Sequence, residues 1–390
     1  MNLLPENTGW HPQNYEWVDE TVFSDGDSFF ARLCEEIINA KEHVDIESYI
    51  FDLDPFGIKV LGLLSQAAQR GVRVRLLIDG VGCSQWTYEM IKKFRSQGIE
   101  IRIFHPLAWQ KSSRKFWRSI GVRSFIFGFR KLQRRNHRKL YIVDRKTAYV
   151  GSMNISARHL KSLVHDKAWR DTGVRITGSG VEALNQAFVI TWNISDLPFN
   201  SRHKVKRFLA KLYPWVVLNY TFLQRRHYHQ ALIQKISNSN TRIWIANPYF
   251  VPDRKLMREI MKQASRIDVR LLFPKENDFF GVQYAMEECY ARLLKSGAKV
   301  YTYLPSMMHA KILMIDDLVS IGSSNLDHLS LFQNFEADVV LTHENNKETI
   351  RNQFLKDLEL SEAVELKTWR HRSITQKLLE KFFYWFRAFL

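Results

Sequence analysis

His137–Asn154 reads HRKLYIVDRKTAYVGSMN, and His309–Asn325 reads HAKILMIDDLVSIGSSN. Both stretches carry His, Lys, Asp, Gly-Ser and Asn in the same order, set in apolar, strand-like runs. The flanks repeat as well. HVDIESYIF leads through GIKVLGLLSQAAQRG to VRVRLLID in the first half, and TRIWIANPYFVPD leads through KLMREIMKQASRI to DVRLLF in the second. Each half then gives another helix and strand before its histidine motif, MIKKFRSQGIEIRIF against YARLLKSGAKVYTYL. Strands alternating with helices of roughly ten or more residues predict an α/β layered sandwich with a largely parallel sheet in each half. A pseudo-twofold pair of such lobes brings equivalent strand ends to one shared cleft, where one site can use two copies of one set of groups. The competing reading is duplication for stability, with each histidine a satisfied core residue; the matching offsets of so many polar residue types argue against it.

The repeats divide the chain into an N-terminal lobe at 1–196 with an insertion at 108–136, a connection at 197–240, a C-terminal lobe at 241–365 and an amphipathic tail at 366–390. An apolar fraction of 45% is ordinary for a globular protein and argues against disorder. The formal net charge of +17 draws the molecule toward polyanions, either nucleic acid or an anionic lipid surface. The opening MNLLPENTGWHPQN lacks a basic segment followed by an apolar core, so no signal peptide is expected. No run reaches the roughly 18 to 20 apolar residues that span a bilayer, and YPWVVLNYTFL is too short. Cys34, Cys83 and Cys289 form no CxxC pair and fit buried thiols in a reducing cytosol.

In a strand, His137 and Lys139 share a face while Asp144, seven residues after the histidine, takes the other; His309, Lys311 and Asp316 follow the same parity. If the His and Lys face the cleft, the two Asp residues stabilise a strand end or turn. Two His and two Lys with no clustered carboxylates suit a phosphate ester. The lysines and the amides of Asn154 and Asn325 can donate to its non-bridging oxygens. One imidazole can attack phosphorus while the other protonates the leaving alcohol. An attacking imidazole needs a carboxylate to fix its tautomer. Asp171 in WRDTGVRI and Glu336 in NFEADVVL are candidates at similar places in the two halves, with a surface role as the alternative. Ser152 and Ser323 either donate to phosphate or shape the turn after the glycine.

These residues resemble the phospholipase D superfamily, whose signature is H-x-K-x-x-x-x-D followed by G-S-x-N, present twice in its single-chain members. The first copy matches throughout. In the second, five residues in place of six separate Asp316 from Gly322, which predicts a hairpin turn one residue tighter. Through PYFVPD (248–253), ESYIF (47–51) and HRKLYIVD, the chain is most similar to the bacterial cardiolipin synthases, over roughly residues 40–345. Many of these carry two N-terminal transmembrane segments; this chain resembles the branch without them. The resemblance implies two pseudo-symmetric phospholipase D-like α/β sandwich lobes with one active-site cleft. It also implies a phosphatidyltransferase in which His137 takes a phosphatidyl group from phosphatidylglycerol and His309 serves as acid, then base, yielding cardiolipin and glycerol. No metal or other cofactor is implied, since lysines supply the positive charge.

A protein without a span must still reach its lipid. The insertion AWQKSSRKFWRSIGVRSFIFGFRKLQRRN is basic, has no acid, and holds Trp109, Phe116, Trp117, Phe125, Phe127 and Phe129. Rings for the headgroup boundary and cations for anionic lipid are what an interfacial segment needs. RHKVKRFLAKLYPWVV and the terminal KLLEKFFYWFRAFL have the same character. Core packing or a solvated helix face is the alternative for each. The expected partner is therefore an anionic phospholipid membrane, approached peripherally from the cytoplasmic side, with oligomeric state open. Interleaved aromatic and basic residues also bind single-stranded nucleic acid. A two-lobed chain with an aromatic insertion beside its motif leans away from the nucleases, and no nucleic acid is expected. A non-catalytic scaffold would be expected to have lost a histidine or lysine, and all four are present.

Overall fold

The computed structural model describes residues 17–111, 134–196, 215–219 and 221–388. Within them, strands β1 (Asp19–Phe23), β2 (His43–Ser48), β3 (Arg73–Asp79), β4 (Glu100–Phe104), β5 (Leu140–Val143), β6 (Thr147–Gly151) and β7 (Gly173–Thr177) form one sheet. Its order is β1-β7-β6-β5-β2-β3-β4. Helices α1 (Gly26–Asn39), α2 (Pro55–Gln69), α3 (Tyr88–Ser96), α4 (Lys161–Val164) and α5 (Val181–Ser195) accompany it. The second sheet takes β8 (Val216–Leu218), β9 (Arg242–Ala246), β10 (Asp268–Pro274), β11 (Lys299–Tyr303), β12 (Ile312–Ile315), β13 (Leu318–Gly322), β14 (Ala337–Val340) and β15 (Ser361–Ala363). The order there is β15-β11-β10-β9-β12-β13-β14-β8. With it come α6 (Phe222–Ser237), α7 (Arg254–Ala264), α8 (Phe280–Lys295), α9 (His328–Phe332), α10 (Glu344–Glu359), α11 (Leu366–Arg370) and α12 (Ile374–Trp385).

Without the edge strand β15, the two orders match strand for strand, so the duplication read from sequence is a duplication of topology. The sheets are mixed, however, and the expectation of largely parallel sheets is corrected. Only β2–β3 and β3–β4, with β9–β10 and β10–β11, pair in parallel. A crossover helix follows β2 and β3, which lets the next strand lie parallel. The motif strand is followed by a tight turn, and a tight turn can only fold back antiparallel. That turn holds three residues between Val143 and Thr147, and two between Ile315 and Leu318. The missing residue is thus absorbed in the hairpin, and the strand registers beyond it correspond.

Local chemistry fixes the element ends. Asp54 caps α2 by accepting from Gly57 N, with Pro55 in the first turn, and Asp253 caps α7 by accepting from Leu256 N. Asp144 and Asp316 sit at the hairpin turns with φ of 49° and 52°, a region Asp tolerates better than most residues. One apolar core lies under α1 to α3, a second under α6 to α8. A third draws on both sheets, from Leu140, Val150 and Val174 to Ala310, Ile312 and Val339. Val216–Leu218 and Phe222–Ser237, from the basic stretch between the repeats, are a strand on β14 and a helix whose Leu232 and Ile236 enter the C-terminal core. Among the described residues, no helix is long and apolar enough to cross a membrane.

Candidate active site

His137 and Lys139 precede β5 in an extended lead-in whose neighbours are anchored by buried polar contacts. Arg135 grips Asp79 through Nε and Nη2 at 2.9 and 2.6 Å. Asn136 Nδ2 donates to Glu47 Oε1 at 2.7 Å, and Arg138, fully buried, donates to Thr191 Oγ1 and to the Glu336 carbonyl. These contacts anchor the backbone on either side of His137. The lead-in also hydrogen-bonds across the molecule: His137 N donates to Phe335 O at 3.0 Å and Phe335 N to Arg135 O at 3.0 Å. The other motif mirrors this, with Arg170 N donating to Met307 O at 2.9 Å and His309 N to Arg170 O at 2.8 Å. Each histidine lead-in therefore runs beside the residues that precede the carboxylate strand of the opposite half.

The carboxylates are crossed as a result. His137 Nδ1 lies 3.0 and 3.1 Å from the two oxygens of Glu336, and 3.1 Å from the Ser323 carbonyl. His309 Nδ1 lies 2.8 Å from Asp171 Oδ2. A carbonyl oxygen only accepts, so Nδ1 of His137 must carry the hydrogen, which leaves Nε2 as the bare nitrogen of a neutral ring. Burial, then Lys139 and Lys311, hold His137 well below the ordinary imidazole value. Burial and Lys311 also lower His309, against the pull of Asp171. Lys311 thus bears on both histidines, and each carboxylate joins the histidine of the opposite half.

The two halves are not equivalent. The Lys311 ammonium lies 3.1 Å from His309 Nε2 and donates to that lone pair. Lys139 turns back to the His137 carbonyl at 2.7 Å and leaves His137 Nε2 with no hydrogen-bond partner among the described residues. Asp171 accepts from Ser152 Oγ and Thr172 N, faces His309, and has a second histidine, His159, with Nδ1 at 3.2 Å. Burial raises its pKa, but the two histidines outweigh burial and hold it well below the carboxylate range. Glu336 accepts from Ser323 Oγ at 2.5 Å and Ser330 Oγ at 2.8 Å, and burial pushes it up to about 7. Ser330 and His159 each stand seven residues beyond their motif serine. The same structural position is an imidazole in one half and a hydroxyl in the other.

The glycines before those serines are required by close approach. A Cβ at Gly151 would come within 2.5 Å of Thr172 O, and one at Gly322 within 2.5 Å of Asp338 Cα. The β6 and β13 ends therefore lie flush on the next strand, and Ser152 and Ser323 reach the carboxylates that hold the histidines. Of the two roles open for these serines, the geometry favours the second: their hydroxyls are spent on protein. Asn154 Oδ1 accepts from Ile50 N at 3.1 Å, and Asn325 Oδ1 is buried with no hydrogen-bond partner among the described residues.

The structure brings together His137, Lys139, His309, Lys311, Asp171 and Glu336, with Asn154 and Asn325 adjoining through the same turns. Asp144 and Asp316, part of the motif by sequence, stay apart from these groups, at the strand-end turns that the alternation along the strand predicts. Each lies past the far end of its motif strand. Asp144 accepts from the backbone N–H of Lys41, Glu42 and His43, and Asp316 from those of Asn240, Thr241 and Arg242. These bonds offset burial and lower both carboxyls. Trp109 is more than half exposed, its indole N–H donating to Ser84 O at 2.8 Å. Phe116, Trp117, Phe125, Phe127 and Phe129 lie outside the described residues.

Sequence reasoning missed His159 and a pair of tyrosines. Tyr49 sits 4.9 Å from the His137 ring with Lys139 Nζ 5.3 Å from its centroid, and Tyr249 sits 6.3 Å from His309 with its hydroxyl on Asp278. Both follow the first strand of their repeat, in ESY and NPY, so the repeat itself was the signal.

Comparison with known proteins agrees with this geometry. The family model described as "Cardiolipin synthase, PLD-like domain" matches residues 33–178 and 232–358. The chain is 30% identical to cardiolipin synthase 1 of Staphylococcus epidermidis, over 92% of this chain and 71% of that protein. It is 28% identical to the cardiolipin synthase of Clostridium perfringens, over 97% and 78%. In fold it is similar to a phosphatidylserine synthase from Haemophilus influenzae, with a TM-score of 0.71, 13% identity and 95% coverage of both chains. A repeated sheet topology with paired histidine motifs, matched by the family model over most of the chain, makes this protein a member of the phospholipase D-like cardiolipin synthase family of phosphatidyltransferase enzymes.

Proposed function

We propose that the protein is a cardiolipin synthase that moves a phosphatidyl group between two phosphatidylglycerol molecules through a phosphohistidine. The observation that carries this reading is the bare Nε2 of His137, fixed by the acceptors around Nδ1 in a site that also holds a second, differently held histidine. Nε2 of His137 attacks phosphorus; the bond to the departing glycerol breaks as His309 passes on to it the proton that the Lys311 ammonium presents at His309 Nε2. A hydroxyl of the second phosphatidylglycerol then attacks the phosphohistidine, giving its proton to His309 as the P–N bond breaks. The roles follow the asymmetry: Asp171, firmly ionised, suits the histidine that must become cationic to act as an acid. Lys139, Lys311 and the two asparagine amides meet the phosphate oxygens. The protein works at an anionic phospholipid surface, peripherally and on the cytoplasmic side.

Incubation with phosphatidylglycerol vesicles tests the reading by product analysis. Cardiolipin and glycerol in equal amounts are expected. Phosphatidic acid and glycerol alone would make the protein a hydrolase, and cleavage of a DNA oligonucleotide without lipid turnover would make it a nuclease.

The pH profile carries a second prediction. Burial brings Lys311 down to about 8. Its ammonium is present below that value and lost above it, so kcat/KM is expected to fall as pH rises through about 8. Neutral His137 is present above its lowered pKa, so the acid limb is expected below 6.5, the ordinary imidazole value. In Lys311→Arg the alkaline limb should move to higher pH whatever the absolute rate. An unmoved limb assigns it to another group.

A further inference from the structure

We propose that α12 and the loop before α8 form one docking face that seats an anionic bilayer against the mouth of the site; the inference rests on the lipid-substrate reading above. Helix α12 is mounted on α8 by its polar and aromatic side. Phe383 packs on Phe280 and Tyr284, at 5.5 and 5.9 Å between ring centroids. Gln376 Nε2 donates to Glu287 at 3.1 Å, and Arg292 and Arg387 lie over the Tyr384 ring. The opposite side is apolar and faces outward: Ile374, Leu378, Phe382 and Trp385 are 76%, 61%, 54% and 75% exposed. Their spacing puts them on one stripe of the helix. A surface helix of a globular protein normally turns that stripe inward, so this one is oriented for an apolar neighbour outside the fold.

Three observations choose lipid as that neighbour. The first is charge. Between Leu366 and Ala388 stand Lys367, Arg370, Arg372, Lys377, Lys381 and Arg387, and the single acid, Glu380, is fully buried against Arg372. Residues 366–388 therefore offer cations and rings with their one carboxylate buried, which complements anionic headgroups, while the loop before α8 sets the exposed Glu276 and Asp278 beside Phe279 and Phe280. The second is composition: Trp and Phe beside Lys and Arg match the headgroup boundary. The third is where the stripe leads. Ring contacts run from Trp385 to Phe386, to Phe382, to Phe383 and on to Phe280, at 5.0 to 5.5 Å. Phe280 and the exposed Phe279 directly follow Asp278, which accepts the hydroxyl of Tyr249 beside His309. The ring contacts thus run from the exposed helix to Phe280, and the short chain segment through Asp278 carries on from there to Tyr249 and the second histidine.

The test is flotation of the full chain with phosphatidylglycerol-rich vesicles and with phosphatidylcholine vesicles, comparing wild type with Leu378→Ser/Phe382→Ser/Trp385→Ser. These side chains are exposed, and an unchanged melting temperature in buffer confirms the fold. Affinity for the anionic vesicles is expected to fall by at least about tenfold, given the apolar area removed from the interface. Turnover of vesicle substrate should fall alongside, while turnover of a monomeric short-chain phosphatidylglycerol stays within about twofold. A second variant, Arg370→Glu/Lys381→Glu, should lose at least about tenfold on anionic vesicles and nothing on neutral ones. Wild-type flotation by the triple variant overturns the proposal, as does equal loss on both substrates. A triple variant that changes from dimer to monomer without lipid would make the stripe a contact between copies instead. Flotation is scored apart from chemistry, so a protein that floats but makes no cardiolipin refutes the function and keeps the docking face.

Discussion

His137→Ala is expected to lower phosphatidyl transfer by a factor on the order of 10⁴ to 10⁶, the scale on which loss of a nucleophile or its base acts in a covalent mechanism. Its Nε2 has no partner among the described residues, whereas Nε2 of His309 accepts from the Lys311 ammonium at 3.1 Å. The first lone pair is available and the second is engaged. Wild-type protein quenched in denaturant during turnover of radiolabelled phosphatidylglycerol should carry label on the peptide holding His137, and the variant should carry none. Label on the peptide holding His309 would exchange the two roles, and label on neither would remove the covalent step.

Glu336→Gln and Asp171→Asn should each lower kcat/KM by on the order of 10³ to 10⁴, as loss of a tautomer-fixing carboxylate does elsewhere, but at different steps. Glu336 holds His137 and Asp171 holds His309. A phosphatidyl ester of p-nitrophenol separates them, because its leaving group departs without a proton. On that donor, Asp171→Asn should recover rapid p-nitrophenol release while Glu336→Gln stays slow. The reverse pattern would mean that each carboxylate serves the histidine of its own half. Asp171 has His159 as a second contact where Glu336 has Ser330, so His309 is the more strongly supported proton carrier.

Sequence made the duplication, the two lobes and the histidine motifs legible because those depend on order and spacing along one strand. Even the shorter second hairpin followed from one missing residue. Strand direction did not, because helix and strand signals alternate alike in parallel and mixed sheets, and the antiparallel half is set by two tight turns. The crossing of Glu336 to His137 was also invisible, since Asp171 and Glu336 stand at similar places in the two repeats and only the inter-lobe backbone bonds decide which ring each meets. Tyr49, Tyr249 and His159 were in plain view, but an aromatic after a strand or a histidine after a serine carries no meaning until its neighbours in space are known. Asp144 and Asp316 lie in the motif by sequence and outside the site by geometry, because seven residues along an extended chain cover more than 20 Å.

The hydrogen bonds that tie each lead-in to the opposite lobe also limit how the molecule can move. Swinging the halves apart like a clamshell would break four of them, each worth about 1 kcal/mol, and would strip two buried carboxylates of their imidazoles at a further cost of several kcal/mol. Admission by hinge opening is therefore closed off. Under the proposed chemistry, headgroups then reach the histidines while the two lobes stay joined, and the four-tailed product is assembled without the lobes parting around it.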